Sequence, residues 1–314
     1  MNLYDDFHPD VPLLLKHQDA KLTPPDPAAR SGDGLGALGA LQSRMLLYGL
    51  GALVKLGLHR RLVYANLALG WFYEFQRYWV EELGNRPIHP HDFYFLSGVY
   101  RQRLQTIHFE HIENAALASD DKHLEAWRDP RVVHHLFAHT FRLALSPLRV
   151  HPFIRWVPRR GRVVEYGCGA APVLTALARS YRHLDLQLVG ADIPHLLFHY
   201  ARWKFRNDRF VSMVSIGPDD DAPLQGSFDT IVCLETFEHL PRPLAVVRHF
   251  HSVLKPGGSL VFDYIRSDAT GLDTAAALRD RIPTLEFILG HFDVVHGRVT
   301  TDGAHVEPAV VRKR

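Results

Sequence analysis

The run VVEYGCGAA at 163–171 constrains this chain more than any other stretch. Val163 and Val164 open a short buried strand, Glu165 lies at its end, and Gly167 and Gly169 turn the chain. Val173, Leu174, Ala176, Leu177 and Ala178 follow at once as a helix-like apolar run. Glycine lets a ligand sit directly on the backbone because no Cβ holds it away. The free N–H groups of the next helix then face that ligand. A strand, a glycine turn and a helix in this order predict an α/β fold.

A nicotinamide dinucleotide site is one reading of the turn. Its third small residue, counted from Gly167, would be Pro172, which fits poorly. The other reading is acidic-x-Gly-x-Gly-x-small, with Glu165, Gly167, Gly169 and Ala171. This pattern resembles the first motif of class I S-adenosylmethionine-dependent methyltransferases. Ala171 stands where that family usually has glycine, so the turn should be slightly less open.

Three later segments add to the resemblance. The run VGADIP at 189–194 reads as a second strand ending in Asp192, one strand–helix–strand unit after Glu165. An acid at that spacing meets the ribose of a nucleotide-like ligand, and Ile193 can pack on an adenine face. The run FDTIVCLE at 228–235 reads as a buried strand after a turn and resembles the family's fourth strand. Asp219, in the acid cluster before it, is the residue that the resemblance places near the adenine amino group. LKPGGSLVFDY at 254–264 reads as the end of a helix, a Pro-Gly-Gly turn and a fifth strand. Together these cover residues of about 155–314 and look most like the ubiquinone-pathway and sugar methyltransferase group.

The resemblance implies a Rossmann-like sheet of seven strands, mostly parallel, with helices on both faces and a closing antiparallel pair near 292–299 and 306–311. It implies S-adenosylmethionine as donor, bound by Glu165, Tyr166, Gly167, Gly169, Asp192, Ile193, Asp219, Leu234 and Glu235. The ligand should sit at the carboxyl ends of the strands, where Glu165, Asp192 and Glu235 fall.

The segment ETFEHLP at 235–241 follows the fourth strand. If it turns into helix, Glu235, Glu238 and His239 share one face at i, i+3 and i+4. Such a set could hold a divalent ion, and some members of the family link a similar segment to a metal. Many relatives carry it without one, so no metal ligand is assigned. Methyl transfer from a sulfonium is an in-line displacement in which the enzyme mostly positions and excludes water. A hydroxyl acceptor needs a base, and His239 is the candidate. A structural hydrogen bond from His239 to a loop carbonyl is the plain alternative.

The first half predicts an α-helical domain. Residues 1–35 are rich in proline and glycine and read as an extended segment; 36–154 read as a helical cap domain; 155–314 read as the donor-binding domain. Residues 36–83 hold dense aromatics, among them Trp71, Phe72, Tyr73, Phe75, Tyr78 and Trp79. These suit a core of packed helices better than contact with a membrane surface, and the apolar runs are too interrupted to span a bilayer. His135 and His139 share a helical face without an accompanying carboxylate motif. A net charge of +2 gives no reason to expect nucleic acid as a partner. Two cysteines, Cys168 and Cys233, imply no disulfide framework, and with no signal peptide in view a cytoplasmic setting is expected.

The expectation is therefore an S-adenosylmethionine-dependent methyltransferase acting on the hydroxyl of a small molecule such as a sugar, a phenol or a specialised metabolite. An N-methyltransferase, or a non-catalytic nucleotide-binding protein that keeps the fold, are the alternatives.

Overall fold

The computed structural model describes residues 70–85, 87, 127, 136–137, 139–140, 143, 150, 152–217, 219–266, 273–302 and 305–314. The expectations for 1–35, for most of the helical cap domain and for His135 lie outside these residues.

Seven strands form one sheet. In chain order they are β1 (Arg162–Tyr166), β2 (Gln187–Asp192), β3 (Val211–Ser215), β4 (Phe228–Cys233), β5 (Leu254–Tyr264), β6 (Phe292–His296) and β7 (Val306–Lys313). Their spatial order is β3-β2-β1-β4-β5-β7-β6. Pairing is parallel from β3 through β5, and β7 runs antiparallel to both β5 and β6. The expected closing pair is there. β1 and β4 are buried along almost their whole length, with short apolar runs at Val163–Val164 and Ile231–Cys233, because both of their faces are covered.

Helices cover the two faces. α1 (Gly70–Arg77) precedes the sheet; α2 (Pro172–Ser180) and α3 (Leu196–Phe205) connect β1, β2 and β3; α4 (Pro243–Val253) connects β4 and β5; α5 (Ala275–Arg279) and α6 (Arg281–His291) precede β6. Alternate strand residues feed two separate cores. Val163 packs with Val173, Leu174 and Leu177 of α2 and with Phe198 and Ala201 of α3. Val164 packs with Val246, Val247 and Phe250 of α4 and with Leu285 and Ile288 of α6. Each core lies against one face, as the twofold repeat of a strand requires.

The Pro-Gly-Gly segment differs from its expected form. α4 stops at Val253 and β5 starts with Leu254, which already pairs with Phe228. The next partners are Thr230 and Ser259, so residues 255–258 bulge out of the ladder. Gly257 takes φ +73° there, a value open to glycine at little cost.

The aromatic segment is a helix that widens into a π turn at Tyr78–Glu82. Phe72, Phe75, Tyr78 and Trp79 are buried, and Tyr73 is exposed. They pack on α3: the Phe75 ring lies 5.7 Å from Tyr200, and the Tyr78 ring 5.5 Å from Trp203. The Tyr78 hydroxyl is hydrogen-bonded to His199 Nδ1 at 2.8 Å. This face is spent on the protein's own core. No described helix is long and apolar enough to cross a membrane.

Candidate active site

The strand order reverses between β1 and β4, so the crevice beyond their carboxyl ends is where an open α/β sheet binds ligands. The glycine turn sits there. Gly167 N–H (2.8 Å) and Cys168 N–H (3.2 Å) both donate to Ala191 O of β2. Gly169 N–H donates to Asp192 Oδ2 at 2.6 Å. Gly167 takes φ +67° and Gly169 φ +50°. A Cβ on Gly167 would run into Oγ1 and Cγ2 of Thr236, whereas one on Gly169 would meet its nearest neighbour, Leu197 Cδ2, at 3.6 Å.

Ala171 is also left-handed, at φ +55° and ψ +59°, and starts α2. That conformation costs an alanine roughly 1–2 kcal/mol, which is why a glycine is usual there. The alanine therefore does more than make the turn less open: it stores strain in it.

α2 begins with Pro172 and has no side-chain cap of its own. Glu165 supplies one from the end of β1. Its Oε1 accepts from Val173 N–H (3.1 Å) and its Oε2 from Leu174 N–H (2.9 Å). A buried carboxylate at a helix N-terminus meets both unpaired donors and the positive end of the helix dipole. Glu165 thus shapes the turn through the helix behind it.

Asp192 ends β2 and is nearly buried. Besides Gly169, it accepts from Ile193 N–H through Oδ1 at 2.7 Å. His195 Nε2 lies 3.4 Å from the same oxygen, while its Nδ1 accepts from Leu197 N–H at 3.3 Å. An accepting Nδ1 leaves the proton on Nε2, facing Asp192. The carboxylate is thereby aimed before any ligand arrives.

The other expected residues divide. Ile193 and Leu234 are partly buried at the ends of β2 and β4. Tyr166 is buried, with its ring edge-on to Phe250 at 4.9 Å, so it contributes backbone to the crevice and side chain to the core. Burial holds its phenol well above the ordinary range, with smaller contributions from Asp192, Asp221 and Asp220. Asp219 is not gathered with these groups. Its side chain is 93% exposed, 3.9 Å from Arg242 Nη1. Asp221 makes the shorter pair with Arg242 Nε at 2.6 Å. The acids that bear on Tyr166 from this loop are Asp220 and Asp221.

The segment after β4 folds differently from its expected form. Glu235 is exposed and left-handed, at φ +53°. Phe237–His239 is a single tight 3-10 turn. Glu235 therefore precedes the turn, Glu238 points inward, and the three residues do not share one helical face. No group of three His, Cys, Asp or Glu side chains suited to a metal ion occurs among the described residues.

Three residues that sequence reasoning passed over matter here. Asp263, at the end of β5, accepts from Glu235 N–H at 2.7 Å and fixes that left-handed backbone. Thr236 closes over Gly167. Lys204 of α3 reaches back to the turn, donating to Ala170 O at 2.6 Å. An acid closing the apolar run SLVFDY was a readable signal for Asp263. Lys204 gave none, because it lies in an aromatic helix without periodicity.

Glu238 and Asp263 are both buried acids. Burial raises the Glu238 carboxyl to about 8, helped by Asp273 and Glu235, and Oε2 of Glu238 has no hydrogen-bond partner. Burial likewise raises Asp263 to about 7. An acid raised in the folded state favours folding fully below its unfolded pKa, and that contribution is lost as pH rises toward the folded value. Wild-type stability should therefore fall between about pH 4.5 and pH 8. Glu238→Gln should be more stable than wild type by about 2 kcal/mol near about pH 8.5 and should lose that lead near about pH 5. Urea unfolding at both pH values checks this; parallel pH profiles would refute it.

His239 is partly buried. Its Nε2 lies 3.8 Å from Glu238 Oε1, and its ring stands edge-on to Trp127 at 5.5 Å. A residue of the N-terminal half thus meets the residue expected to act as base.

Comparison with known proteins decides the family. A family model described as a methyltransferase domain matches residues 118–298, more than half of the chain. This chain belongs to the methyltransferase domain family. The methyltransferase class follows the sequence expectation. The match begins before residue 155. A ubiquinone biosynthesis O-methyltransferase of Xanthomonas campestris pv. campestris is 35% identical over 120 residues, 37% of this chain and 48% of that protein. One from Paracidovorax citrulli is 30% identical over 150 residues, 46% of this chain and 59% of that protein. The chain thus spans about half the length of the curated relatives it matches. Among solved structures, an O-methyltransferase family protein from Burkholderia thailandensis superposes with a TM-score of 0.48 at 15% identity, over 69% of this chain and 70% of that one.

Proposed function

We propose that this methyltransferase moves a methyl group from S-adenosylmethionine to a hydroxyl oxygen of a small acceptor. The observation that carries the reading is the glycine turn at the strand-order reversal, with the Asp192 carboxylate aimed across it. In this reading the backbone of Gly167, Cys168 and Gly169 lies against the donor, and Asp192 accepts from the ribose hydroxyls. Ile193 and Leu234 pack on the adenine side, and Glu235 borders the donor's polar end. Residues 155–314 supply the donor site, and residues 36–154 cover the acceptor side.

Two observations support an oxygen acceptor. The curated relatives are named as O-methyltransferases. His239, a residue type suited to general-base work, lies in the 3-10 turn after β4, where in this reading an acceptor hydroxyl approaches the methyl group. The contact between Trp127 and His239 supports a cap built from the N-terminal half. The resemblance to ubiquinone-pathway enzymes favours a phenol as the first acceptor class to screen.

Calorimetry with S-adenosylhomocysteine, in EDTA and then with magnesium, tests the donor site. Saturable binding in EDTA is expected, with no gain from magnesium, since Glu235 and Glu238 face different surroundings. No binding at millimolar ligand would overturn the reading. Asp192→Ala should weaken that binding by about 1–3 kcal/mol, because it unpairs both the ribose and Gly169 N–H. Unchanged affinity would remove Asp192 from the donor site.

A further inference from the structure

Lys204 on α3 is partly buried, and its nearest partners are neutral oxygens. Its Nζ donates to Ala170 O at 2.6 Å and to Thr175 Oγ1 at 2.7 Å. No carboxylate among the described residues lies within ion-pair distance of it; the rings of Phe205 (4.8 Å) and Tyr200 (5.4 Å) flank it instead. An ammonium is costly to bury, and an ion pair does not explain its presence here. Burial pulls it down to about 8, opposed by the more distant Glu74 and Glu165, with Arg179 acting in the same sense as burial.

The hydrogen bonds around it have one consistent direction. Lys204 donates to Thr175 Oγ1, and the Thr175 hydroxyl donates in turn to Ala171 O at 2.6 Å. The carbonyls of both alanines in the turn are therefore held from the same point. Ala171 carries the departure from the usual glycine pattern, and it is the left-handed one.

We propose that Lys204 is a positioning residue of the donor turn, which acts with Thr175 to hold Ala171 in the left-handed conformation that a glycine would adopt unaided. The inference rests on the reading of this turn as the donor site, and it carries a signature that simple packing lacks. The need for Lys204 should depend on which residue stands at 171. A lysine that merely fills space would matter equally in either background.

The test is a cycle of Lys204→Met and Ala171→Gly in the full chain, read by amide hydrogen exchange across 167–175 and by S-adenosylhomocysteine affinity. Lys204→Met alone should speed exchange in the turn and weaken binding, each by about ten-fold or more. With Ala171→Gly present, the same change should cost less than about three-fold in both. Wild-type exchange in Lys204→Met, or equal losses in the two backgrounds, overturns the proposal. Should Lys204→Met not fold, Thr175→Val breaks the same chain of hydrogen bonds and must show the same dependence on residue 171. If the wild-type protein binds no S-adenosylhomocysteine, the donor reading falls while the exchange cycle still decides the clamp.

Discussion

Gly167→Ala is expected to destabilise the protein by about 3 kcal/mol and to abolish measurable donor binding. Two costs coincide at this position. The backbone is left-handed at φ +67°, and the added Cβ would have to enter the space of Thr236. Thr236 cannot swing away cheaply, because its Oγ1 donates to Leu234 O at 2.9 Å and the residue is buried. The turn must then shift, and Gly167 N–H and Cys168 N–H lose their common acceptor, Ala191 O. A thermal melt with calorimetry checks both effects. The comparison that isolates the steric part is Gly169→Ala, which has similar backbone strain but an ordinary 3.6 Å contact. It should cost less than half as much stability. Equal losses at the two glycines would mean that Thr236 is not the obstacle.

His239→Gln should lower turnover by about 10²-fold or more at saturating acceptor, with donor affinity unchanged. Glutamine keeps a polar side chain beside Trp127 but cannot take a proton from the acceptor. The pH dependence separates the two roles of this residue. If His239 is the base, the remaining activity should rise with pH as the acceptor hydroxyl ionises unaided. If it is a structural hydrogen-bond partner, the variant should lose stability and keep the shape of its pH profile. Full turnover in His239→Gln refutes the base assignment outright.

The parts of this molecule that were legible in its sequence are those that local chemistry decides. The centres of β1 (Val163, Val164) and β4 (Ile231, Val232, Cys233) announce themselves as short apolar runs because a parallel sheet buries both faces. Gly167 was legible because a left-handed turn against another side chain admits little else. Asp192 was legible because it ends a strand one unit after the turn. The less legible features depend on what distant segments bring together. Glu235, Glu238 and His239 have helical spacing, but Asp263, 28 residues after Glu235, pins Glu235 out of the helix. Asp219 was picked from three consecutive acids whose orientations are decided by Arg242. Lys204 shows no pattern at all, since its partners lie 34 and 29 residues away along the chain.

The way the glycine turn is tied down bears on how fast a ligand can be captured and released. Ala191 and Asp192 of β2 and Lys204 of α3 hold its backbone, and Glu165 of β1 holds the start of the helix behind it. The ordering entropy of that loop is therefore met during folding and not at the moment of encounter. Donor capture should then be a single-exponential process whose rate rises linearly with donor concentration, without a saturating isomerisation phase. Among variants of the ties, association rates should stay within about one decade and residence times should carry the differences in affinity.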